Sequence, residues 1–433
     1  MTPSLRARIL ALVVPAMAAA AAQAADPPLR LQVSPTQVLA PVNPEVLRGY
    51  NFGNWMQVAE FRELLQPVRP YSFRFPGGNV GDEFDMNEDR LKVLKPSVDL
   101  MGGPEVFFHT RVFQSRPNEP PARNTPEDAA ASVRMARSLG LRVRYWEIGN
   151  EPDLFAVTRG DKSWTAERYC GVFRAQAKAI KQADPQALVA GPAVSGAVPG
   201  REQFMASFVK ECGDVVDMLT YHIYPTDGST DEAQALDTAA DGDEIIRRYR
   251  ALWADPTQNP KGHQRKIKYG VTEYGLSWRS DKPHLLSDFP GAMWAAEMAL
   301  RLNRNGVDLA HYFAFQGTSH HGLIDDAGVP RPSFYGFRML AGLQGQWVAA
   351  QSGDADLWTH AALDGNQLSV VLINKGKAAK TVSTALPQWR FAGGDYFDAK
   401  IVDEEAPLAT FSPEAASVVL PGYSFTRLTF ERR

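Results

Sequence analysis

From about Val46 to Gly317 the sequence alternates between short apolar runs and helix-like segments, and no other pattern in the chain restricts its fold as narrowly. Eight apolar runs are candidate strands, at 46–52, 71–75, 105–110, 143–149, 187–192, 217–223, 267–273 and 308–315. Eight strands alternating with helices over about 270 residues predict a (β/α)8 TIM barrel, an α/β fold. A doubly wound sheet is the main competitor, but no glycine-rich phosphate loop follows the first strand.

The predicted helices carry recognisable start signals. Segments 126–139, 165–183 and 290–305 have helical patterning. The first of them follows Asn124-Thr125 and begins with Pro126, so a capping residue and a proline stand at its N-terminus. Acidic side chains in the next two positions favour the same start.

The helical pattern ends after about Leu343. Segment 357–376 contains two alternating strands around Asp364-Gly365-Asn366, which is a tight-turn signal. Further strands are expected at 380–385, 395–402, 416–420 and 424–430. The last roughly 90 residues therefore predict an antiparallel β-sandwich, to which the stretch 29–35 is a candidate additional strand.

The N-terminus has the pattern of a secretory signal. Arg6 and Arg8 precede an apolar run at 9–22, and the small-residue pattern Ala22-Gln23-Ala24 predicts cleavage before Ala25. A membrane anchor is the weaker alternative, because the run is rich in alanine and shorter than a bilayer span. We therefore expect a secreted or periplasmic protein without membrane attachment after cleavage. Its parts are a signal peptide at 1–24, an N-terminal segment at 25–45, the barrel at 46–342 and the sandwich at 343–433.

Charge and cysteine content exclude several classes of function. The chain has 46 Lys and Arg against 49 Asp and Glu, a formal net charge of -3, so it has no basic footprint for nucleic acid. Its two cysteines, Cys170 and Cys212, are too few for a cysteine-based zinc or iron–sulfur cluster. Export makes a disulfide between them possible, and two buried thiols are the equal alternative.

Two predicted strand ends carry glutamates that can act together. The fourth strand leads into Asn150 and Glu151, and the seventh ends at Glu273. Active sites of barrels lie at the carboxyl ends of the strands, and strands four and seven stand nearly opposite each other there. We therefore expect the two carboxylates to face one another over a substrate. Glycoside hydrolysis needs such a pair, because one group protonates the leaving oxygen while the other attacks the anomeric carbon.

These segments resemble glycoside hydrolase clan A. WEIGNEP (146–152), VTEYGLSW (271–278) and RFPGGN (74–79) are similar to segments of families 39, 51 and 79, a branch of β-xylosidases, α-L-arabinofuranosidases and heparanase-like β-glucuronidases. The resemblance implies that Glu151 is the acid/base, that Glu273 is the nucleophile and that Asn150 holds the 2-hydroxyl of the sugar. It also implies a retaining O-glycoside hydrolase with carboxyls about 5–5.5 Å apart. The expected substrate is an oligo- or polysaccharide, and no metal or organic cofactor is expected.

Other side chains are expected to support the two carboxylates. Glu147 should point into the barrel interior, where a carboxylate needs a partner, and Arg74 on the second strand is a candidate. Alternatively, Arg74 lies near Glu273 and keeps it ionised. His222 and Tyr224 end the sixth strand, beside the seventh, so the phenol can donate to Glu273. The alternative for both residues is packing alone.

Four residues are further candidates for contact with the sugar. Asn79 follows two glycines, which let the backbone approach a ligand, and His109 ends the third strand. Trp55 and Trp278 follow the first and seventh strands and can stack on the apolar face of a sugar ring. Each tryptophan can equally be a packing anchor.

Some conspicuous residues are not expected to take part. The acidic run 82–89 does not match a calcium loop and is typical of a solvated surface. The pair His320-His321 lacks the context of a metal site. The eighth strand ends at Phe315-Gln316, where many clan members have a tryptophan, so one expected stacking surface is not accounted for.

A second hypothesis is a non-catalytic carbohydrate-binding or polysaccharide-export accessory protein on a degenerate barrel. Loss of either Glu151 or Glu273 would favour it, and both are present. The resemblance covers xylosides, arabinofuranosides and glucuronides, so the sequence leaves open the sugar, the choice between exo and endo cleavage, and the oligomeric state.

Overall fold

The structure is a computed structural model that describes residues 27–53, 56, 60–86, 88–114, 121–196, 202–317 and 319–433. Eight parallel strands close into a barrel, and the antiparallel sheets consist of strands that follow it along the chain and one strand that precedes it. The predicted TIM barrel with a C-terminal antiparallel sandwich is confirmed. The barrel strands are β2 (Gly49–Asn51), β3 (Ser72–Phe75), β4 (Glu105–Thr110), β5 (Val143–Ile148), β6 (Leu188–Val194), β7 (Met218–Ile223), β8 (Lys268–Tyr274) and β9 (Leu309–Tyr312).

The α-helices in the described part of the chain alternate with these strands, and no helix there is long and apolar enough to cross a bilayer. The predicted helices at 126–139, 165–183 and 290–305 are present, and Thr125 forms a capping box with Asp128 at the start of the first. In chain order the helices are α1 (Pro44–Leu47), α2 (Arg62–Leu65), α3 (Val80–Glu83), α4 (Glu88–Leu100), α5 (Pro126–Ser138), α6 (Phe155–Thr158), α7 (Ala166–Ala183), α8 (Glu202–Cys212), α9 (Glu232–Asp237), α10 (Asp241–Ala254), α11 (Phe289–Arg304), α12 (Pro332–Leu340) and α13 (Ala399–Asp403).

The first barrel strand is shorter than predicted. The side chain of Asn43 accepts a hydrogen bond from the amide of Glu45, and Pro44 takes the first helical position. An Asn cap followed by proline starts a helix. The first two residues of the predicted strand 46–52 therefore belong to α1, and β2 begins only at Gly49.

The sandwich consists of a seven-stranded and a two-stranded sheet. The strand order of the large sheet is β1-β10-β11-β12-β17-β14-β15, and β13 pairs with β16. The predicted hairpin at Asp364-Gly365-Asn366 joins β11 to β12. These strands are β1 (Gln32–Pro41), β10 (Gln346–Gln351), β11 (Leu357–Asp364), β12 (Gln367–Asn374), β13 (Lys380–Ser383), β14 (Trp389–Asp398), β15 (Ala409–Phe411), β16 (Ser417–Leu420) and β17 (Ser424–Arg432).

The strand predicted at 395–402 is wrong in its second half. The Asp398 side chain accepts from the amide of Ile401 at 3.1 Å and caps the short helix α13. The strand therefore ends at Asp398, where the acid starts a helix instead of continuing the sheet.

One hydrophobic core extends from the barrel into the sandwich, and the sandwich has a second core of its own. Phe289 of α11 and Tyr335 of α12 contact Phe397 of the sandwich, which stacks on Phe425 with ring centroids 4.5 Å apart. Aromatic pairs of this kind contribute about 0.5–1.5 kcal/mol each beyond the area they bury. The two parts of the chain are therefore joined by side-chain packing as well as by the covalent connection.

Cys170 of α7 and Cys212 of α8 form a disulfide. The two helices are neighbours in the outer layer of the barrel, and the bond closes a loop over a sequence separation of 42 residues. Of the two alternatives that the sequence allowed, the structure has the cross-link.

Candidate active site

A cavity of about 540 Å³ opens at the carboxyl ends of the barrel strands. Its walls come from the segments that follow β3, β5, β6, β7, β8 and β9. The lining residues are Gly78, Asn79, Asn150, Glu151, Leu154, Val157, Thr158, Ser195, Tyr224, Glu273, Trp278, Ser280, Phe313 and His321. The residues of this lining that the sequence predicted as site residues are Asn79, Asn150, Glu151, Tyr224, Glu273 and Trp278.

Glu151 lies on a sharp turn directly after β5. Gly149 has a φ of 82°, and a Cβ there would lie 2.8 Å from a methyl carbon of Val112, so both conformation and space call for glycine. Glu151 itself has φ 48° and ψ 48°, a left-handed conformation that costs a non-glycine residue roughly 1–2 kcal/mol. Its amide donates to the carbonyl of Ala193 at 3.0 Å. This turn takes the side chain off the strand and brings it to the cavity.

Glu273 on β8 is held by hydrogen-bond donors on both carboxylate oxygens. Arg74 Nη1 lies 2.7 Å from Oε1, and the hydroxyl of Tyr224 lies 3.0 Å from Oε2, as expected for neighbouring strands. Burial by itself raises the pKa of Glu273, but the charges of His222 and Arg74 and these two hydrogen bonds outweigh it. The pKa of Glu273 is therefore lowered, and the carboxylate is ionised at neutral pH.

Arg74 fulfils both of the roles that the sequence left open. It is fully buried, and its Nε donates to Oε2 of Glu147 at 2.6 Å while Nη1 donates to Glu273. Its Nη2 donates to Oδ1 of Asn150 at 2.8 Å. The hydroxyl of Thr272 completes the partners of Glu147 at 2.9 Å. One planar guanidinium thus fixes a supporting carboxylate, the candidate nucleophile and the candidate hydroxyl-binding amide relative to one another.

His222 lies between the two candidate catalytic carboxylates. Its Nδ1 is 2.8 Å from Oε1 of Glu151 and 3.8 Å from Oε2 of Glu273. Burial disfavours a charge on the ring, but Glu273 and Glu151 raise the pKa of His222. One oxygen of each carboxylate and the imidazole nitrogen all lie within 4.8 Å of one another. The predicted face-to-face placement of Glu151 and Glu273 is therefore present.

Two carboxylates and an imidazole at this spacing are also a possible metal-ligand set. A buried guanidinium lies 2.7 Å from Oε1 of Glu273, however, and its positive charge would repel a cation bound to the same carboxylate. The hydroxyl of Tyr224 donates to the other oxygen of the same carboxylate. The charges and donors favour an anionic nucleophile over a cation site.

Asn150 offers an unused hydrogen-bond donor to the cavity. Its Oδ1 accepts from Arg74, whereas its buried Nδ2 has no partner among the described residues. Buried polar atoms are normally satisfied. Because the residue lines the cavity, Nδ2 is available to a hydroxyl of a bound ligand.

The remaining predicted site residues are placed differently. Arg74, Glu147 and His222 are buried and reach the cavity only through the side chains that they contact. Trp55 lies outside the described residues. The expectation that His109 touches a sugar needs correction, because its ring is fully buried and is not part of the cavity lining. A Cβ on Gly81 would lie 2.2 Å from this ring, so the Gly81 backbone packs directly over it.

His321 and Phe313 line the cavity although the sequence did not single them out as site residues. Their rings meet edge to face with centroids 5.1 Å apart. Burial lowers the pKa of His321 to about 4, so its imidazole is neutral at physiological pH. Phe313 supplies an aromatic surface just after β9, whereas Phe315 packs in the core against Tyr50. The sequence signal for Phe313 is that it is a hydrophobic residue at the end of the eighth strand, two positions before Phe315.

Asp82 is buried, so the expectation that the whole acidic run 82–89 is solvated is wrong at this position. Its carboxylate accepts from the amides of Val112 at 3.3 Å and Asn150 at 3.2 Å. Burial raises the pKa of Asp82 to about 7. Asp82 lies in the segment after β3, and these hydrogen bonds connect that segment to the ones after β4 and β5, next to the turn that carries Glu151.

In comparison with known proteins, the chain is similar to glycoside hydrolases. No family model matches it. It is 24% identical over 311 residues to a beta-xylosidase of Caldicellulosiruptor saccharolyticus, a match that covers 65% of this chain and 59% of that protein. It is 23% identical over 280 residues to the heparanase of Rattus norvegicus, covering 64% of this chain and 48% of that protein. The chain thus spans less than two thirds of the length of either relative.

Solved structures with the same fold include an arabinofuranosidase and a beta-xylosidase. The alpha-L-arabinofuranosidase of Thermotoga maritima has a TM-score of 0.70 at 15% identity, covering 93% of this chain and 100% of that chain. The monomeric beta-xylosidase of Caulobacter crescentus CB15 has a TM-score of 0.65 at 16% identity, covering 93% and 99%. The resemblance to clan A glycoside hydrolases that the sequence segments indicated is confirmed.

Proposed function

We propose that the protein is a retaining O-glycoside hydrolase in which Glu273 is the nucleophile and Glu151 the acid/base. The observation that carries this proposal is the approach of the two carboxylates across the cavity, with oxygens within 4.8 Å of one another. Retaining glycosidases keep their carboxyls about 5–5.5 Å apart, whereas inverting enzymes need about 6.5–9.5 Å to admit a water. The short approach favours the retaining mechanism.

In the first step a carboxylate oxygen of Glu273 forms a bond to the anomeric carbon. The glycosidic carbon–oxygen bond breaks, and the leaving oxygen takes the proton of Glu151. Arg74 and Tyr224 donate to the attacking carboxylate, which keeps it ionised and oriented for the attack. The product of this step is a glycosyl ester of Glu273, with Glu151 now a carboxylate.

In the second step Glu151 takes a proton from a water as that water attacks the same anomeric carbon. The ester bond breaks, the sugar leaves as a hemiacetal, and Glu273 returns to its carboxylate form. Two inversions at one carbon give net retention. The free Nδ2 of Asn150 is placed to donate to a sugar hydroxyl through both steps.

The substrate class that we propose is O-glycosides of oligo- or polysaccharides, because the relatives of this chain are named for xylosides and heparan and its structural neighbours for arabinofuranosides. A panel of aryl xylosides, arabinofuranosides and glucuronides tests it. Wild type should hydrolyse at least one of them, and Glu273→Gln should hydrolyse none. Proton NMR of the first-formed sugar should show the anomeric configuration of the substrate, and inversion would refute the mechanism.

A trapping experiment tests the assignment of the nucleophile separately. A 2-deoxy-2-fluoro glycoside of the preferred sugar should add one glycosyl unit to wild type at Glu273, and none to Glu273→Gln. If neither wild type nor Glu273→Gln hydrolyses any glycoside of the panel while binding of polysaccharide is retained, the result would instead support the non-catalytic accessory protein.

We also propose that the protein is secreted or periplasmic. The signal-like sequence at 1–24 supports this location, and so does the disulfide, because such bonds persist mainly outside the cytosol. After expression of the full chain in a bacterium, mass spectrometry of the exported protein should give an N-terminus at Ala25. An uncleaved N-terminus in the membrane fraction would support the anchor instead.

A further inference from the structure

The outer part of the cavity has an apolar wall to which the proposed reaction assigns no role. Val157 is 83% exposed and Trp278 is 61% exposed, yet both line the same cavity as the candidate catalytic carboxylates. Leu154 lies on the same side as Val157, one helical turn away. Apolar side chains that are exposed together in the lining of one cavity offer a surface on which an apolar ligand group can bind.

The position of this wall follows from where the reaction would take place. Glu273 is only 5% exposed, so the sugar that it attacks must lie in the deep part of the cavity beside Asn150 and Tyr224. Leu154 and Val157 belong to the segment that directly follows Glu151. If Glu151 protonates the leaving oxygen, the leaving group extends from that oxygen toward the cavity mouth and this segment.

Two hydroxyls close to Leu154 and Val157 in the cavity lining already donate within the protein. The hydroxyl of Thr158 donates to the carbonyl of Leu154 at 3.1 Å, and the hydroxyl of Ser195 donates to Asp153 at 2.7 Å. A leaving group with many hydroxyls would therefore find these two donors engaged. An aromatic or otherwise apolar group would instead find the aliphatic carbons of Leu154 and Val157 and the indole of Trp278 in the same lining.

We propose that Leu154, Val157 and Trp278 form a leaving-group site that selects an aromatic, sparsely hydroxylated aglycone. This proposal rests on the hydrolase function proposed above and specifies the substrate class of the same cavity. Val157 and Trp278 carry the test, because both side chains are largely exposed and their replacement removes little packing from the fold.

The experiment compares two leaving groups on one sugar. The sugar is the one that wild type hydrolyses fastest in the aryl panel, offered as its 4-methylumbelliferyl glycoside and as the corresponding glycosyl fluoride. Fluoride has no surface with which to contact the wall. Val157→Ser should lower kcat/KM for the umbelliferyl glycoside by about threefold to fivefold, and Trp278→Ala by about tenfold or more. Val157→Ser should change kcat/KM for the fluoride by no more than about twofold.

A second measurement separates binding of the leaving group from general damage. Hydrolysis of the glycosyl-enzyme takes place after the leaving group has departed, so its rate should be equal in wild type and Val157→Ser. The matched control is Val93→Ser on α4, a valine 60% exposed that does not line the cavity, which should behave as wild type toward both substrates.

Equal losses on the umbelliferyl glycoside and the fluoride would overturn the proposal, and so would unchanged kinetics of both variants. A disaccharide of the same sugar that wild type cleaves with a higher kcat/KM than the umbelliferyl glycoside would also overturn it, because the preferred leaving group would then be a sugar. Failure of the proposed function gives a different result, namely no turnover of the glycosyl fluoride by wild type itself.

Discussion

Removal of the Tyr224 hydroxyl should make Glu273 harder to ionise. The hydroxyl lies 3.0 Å from Oε2 of Glu273, and a donor to a carboxylate favours its charged form. A hydrogen bond to a charged group contributes about 1.5–3 kcal/mol net, and one pKa unit corresponds to about 1.4 kcal/mol. His222 and Arg74 also hold the pKa of Glu273 down and remain in place, so we take the lower end of that range. Tyr224→Phe should raise the pKa of Glu273 by about one unit.

The direction of this shift can be read in a pH–rate profile. Glu273 must be ionised to attack, so kcat/KM falls on the acidic side as the carboxylate takes up a proton. A higher pKa of Glu273 moves that acidic limb toward higher pH by about one unit. The assay is kcat/KM of the preferred aryl glycoside against pH for both forms.

The matched control for this assay is Tyr396→Phe on β14 of the sandwich, which removes the same atom far along the chain from the cavity. An acidic limb that stays in place in Tyr224→Phe, together with a near-normal rate, would refute the hydrogen-bonding role of Tyr224. An equal shift in the control would show that the effect is not local.

Three further predictions concern other parts of the molecule. Glu151→Ala should slow hydrolysis of substrates with poor leaving groups far more than of activated aryl glycosides, with rescue by azide; equal losses without rescue would contradict the acid/base role. Burial raises the pKa of Asp82 to about 7, so wild type should lose free energy of unfolding as the pH rises from about 4 to about 7. Asp82→Asn should lack this slope in urea unfolding, and an unchanged slope would exclude Asp82 as its source. Replacement of Cys170 and Cys212 by serine should lower the free energy of unfolding by up to about 4 kcal/mol, because the cross-link closes a loop over a separation of 42 residues. Reductant should have the same effect on wild type, and an unchanged urea midpoint would contradict it.

Most of the barrel could be predicted because its strands can be recognised as short apolar runs in the local sequence. Between the second and seventh barrel strands, each apolar run coincides with an observed strand to within two residues at either end, and 105–110 coincides at both ends. The eighth apolar run extends to 315 in the prediction, but β9 ends at Tyr312. Two other failures lie where a single capping side chain starts a helix in place of a strand. Asn43 did this before β2 and Asp398 did it after β14, and counting apolar residues does not detect such a cap.

The buried charged centre could also be predicted, since strand parity and strand order decide which side chains meet inside a barrel. The positions of the loop residues His321 and Asp82 could not be predicted in this way. His321 reaches the cavity because the guanidinium of Arg331 binds its carbonyl and that of Ser319, and thereby folds the segment after β9 back on itself. Asp82 is buried because it accepts backbone amides from two other segments. Both placements depend on partners distant in sequence, which a pattern of local hydrophobicity does not contain.

The two candidate catalytic carboxylates are positioned by different means, and this difference matches their proposed tasks. Glu273 sits on a strand and is fixed by side-chain donors, so its charge is stabilised before any substrate binds. Glu151 sits on a left-handed turn whose amide donates to Ala193, itself left-handed with a φ of 53°. The turn and this hydrogen bond fix the backbone of Glu151, while its carboxyl group has His222 Nδ1 as a partner at 2.8 Å. An acid/base must exchange its proton in every cycle, and a group anchored through its backbone can do so without losing its position.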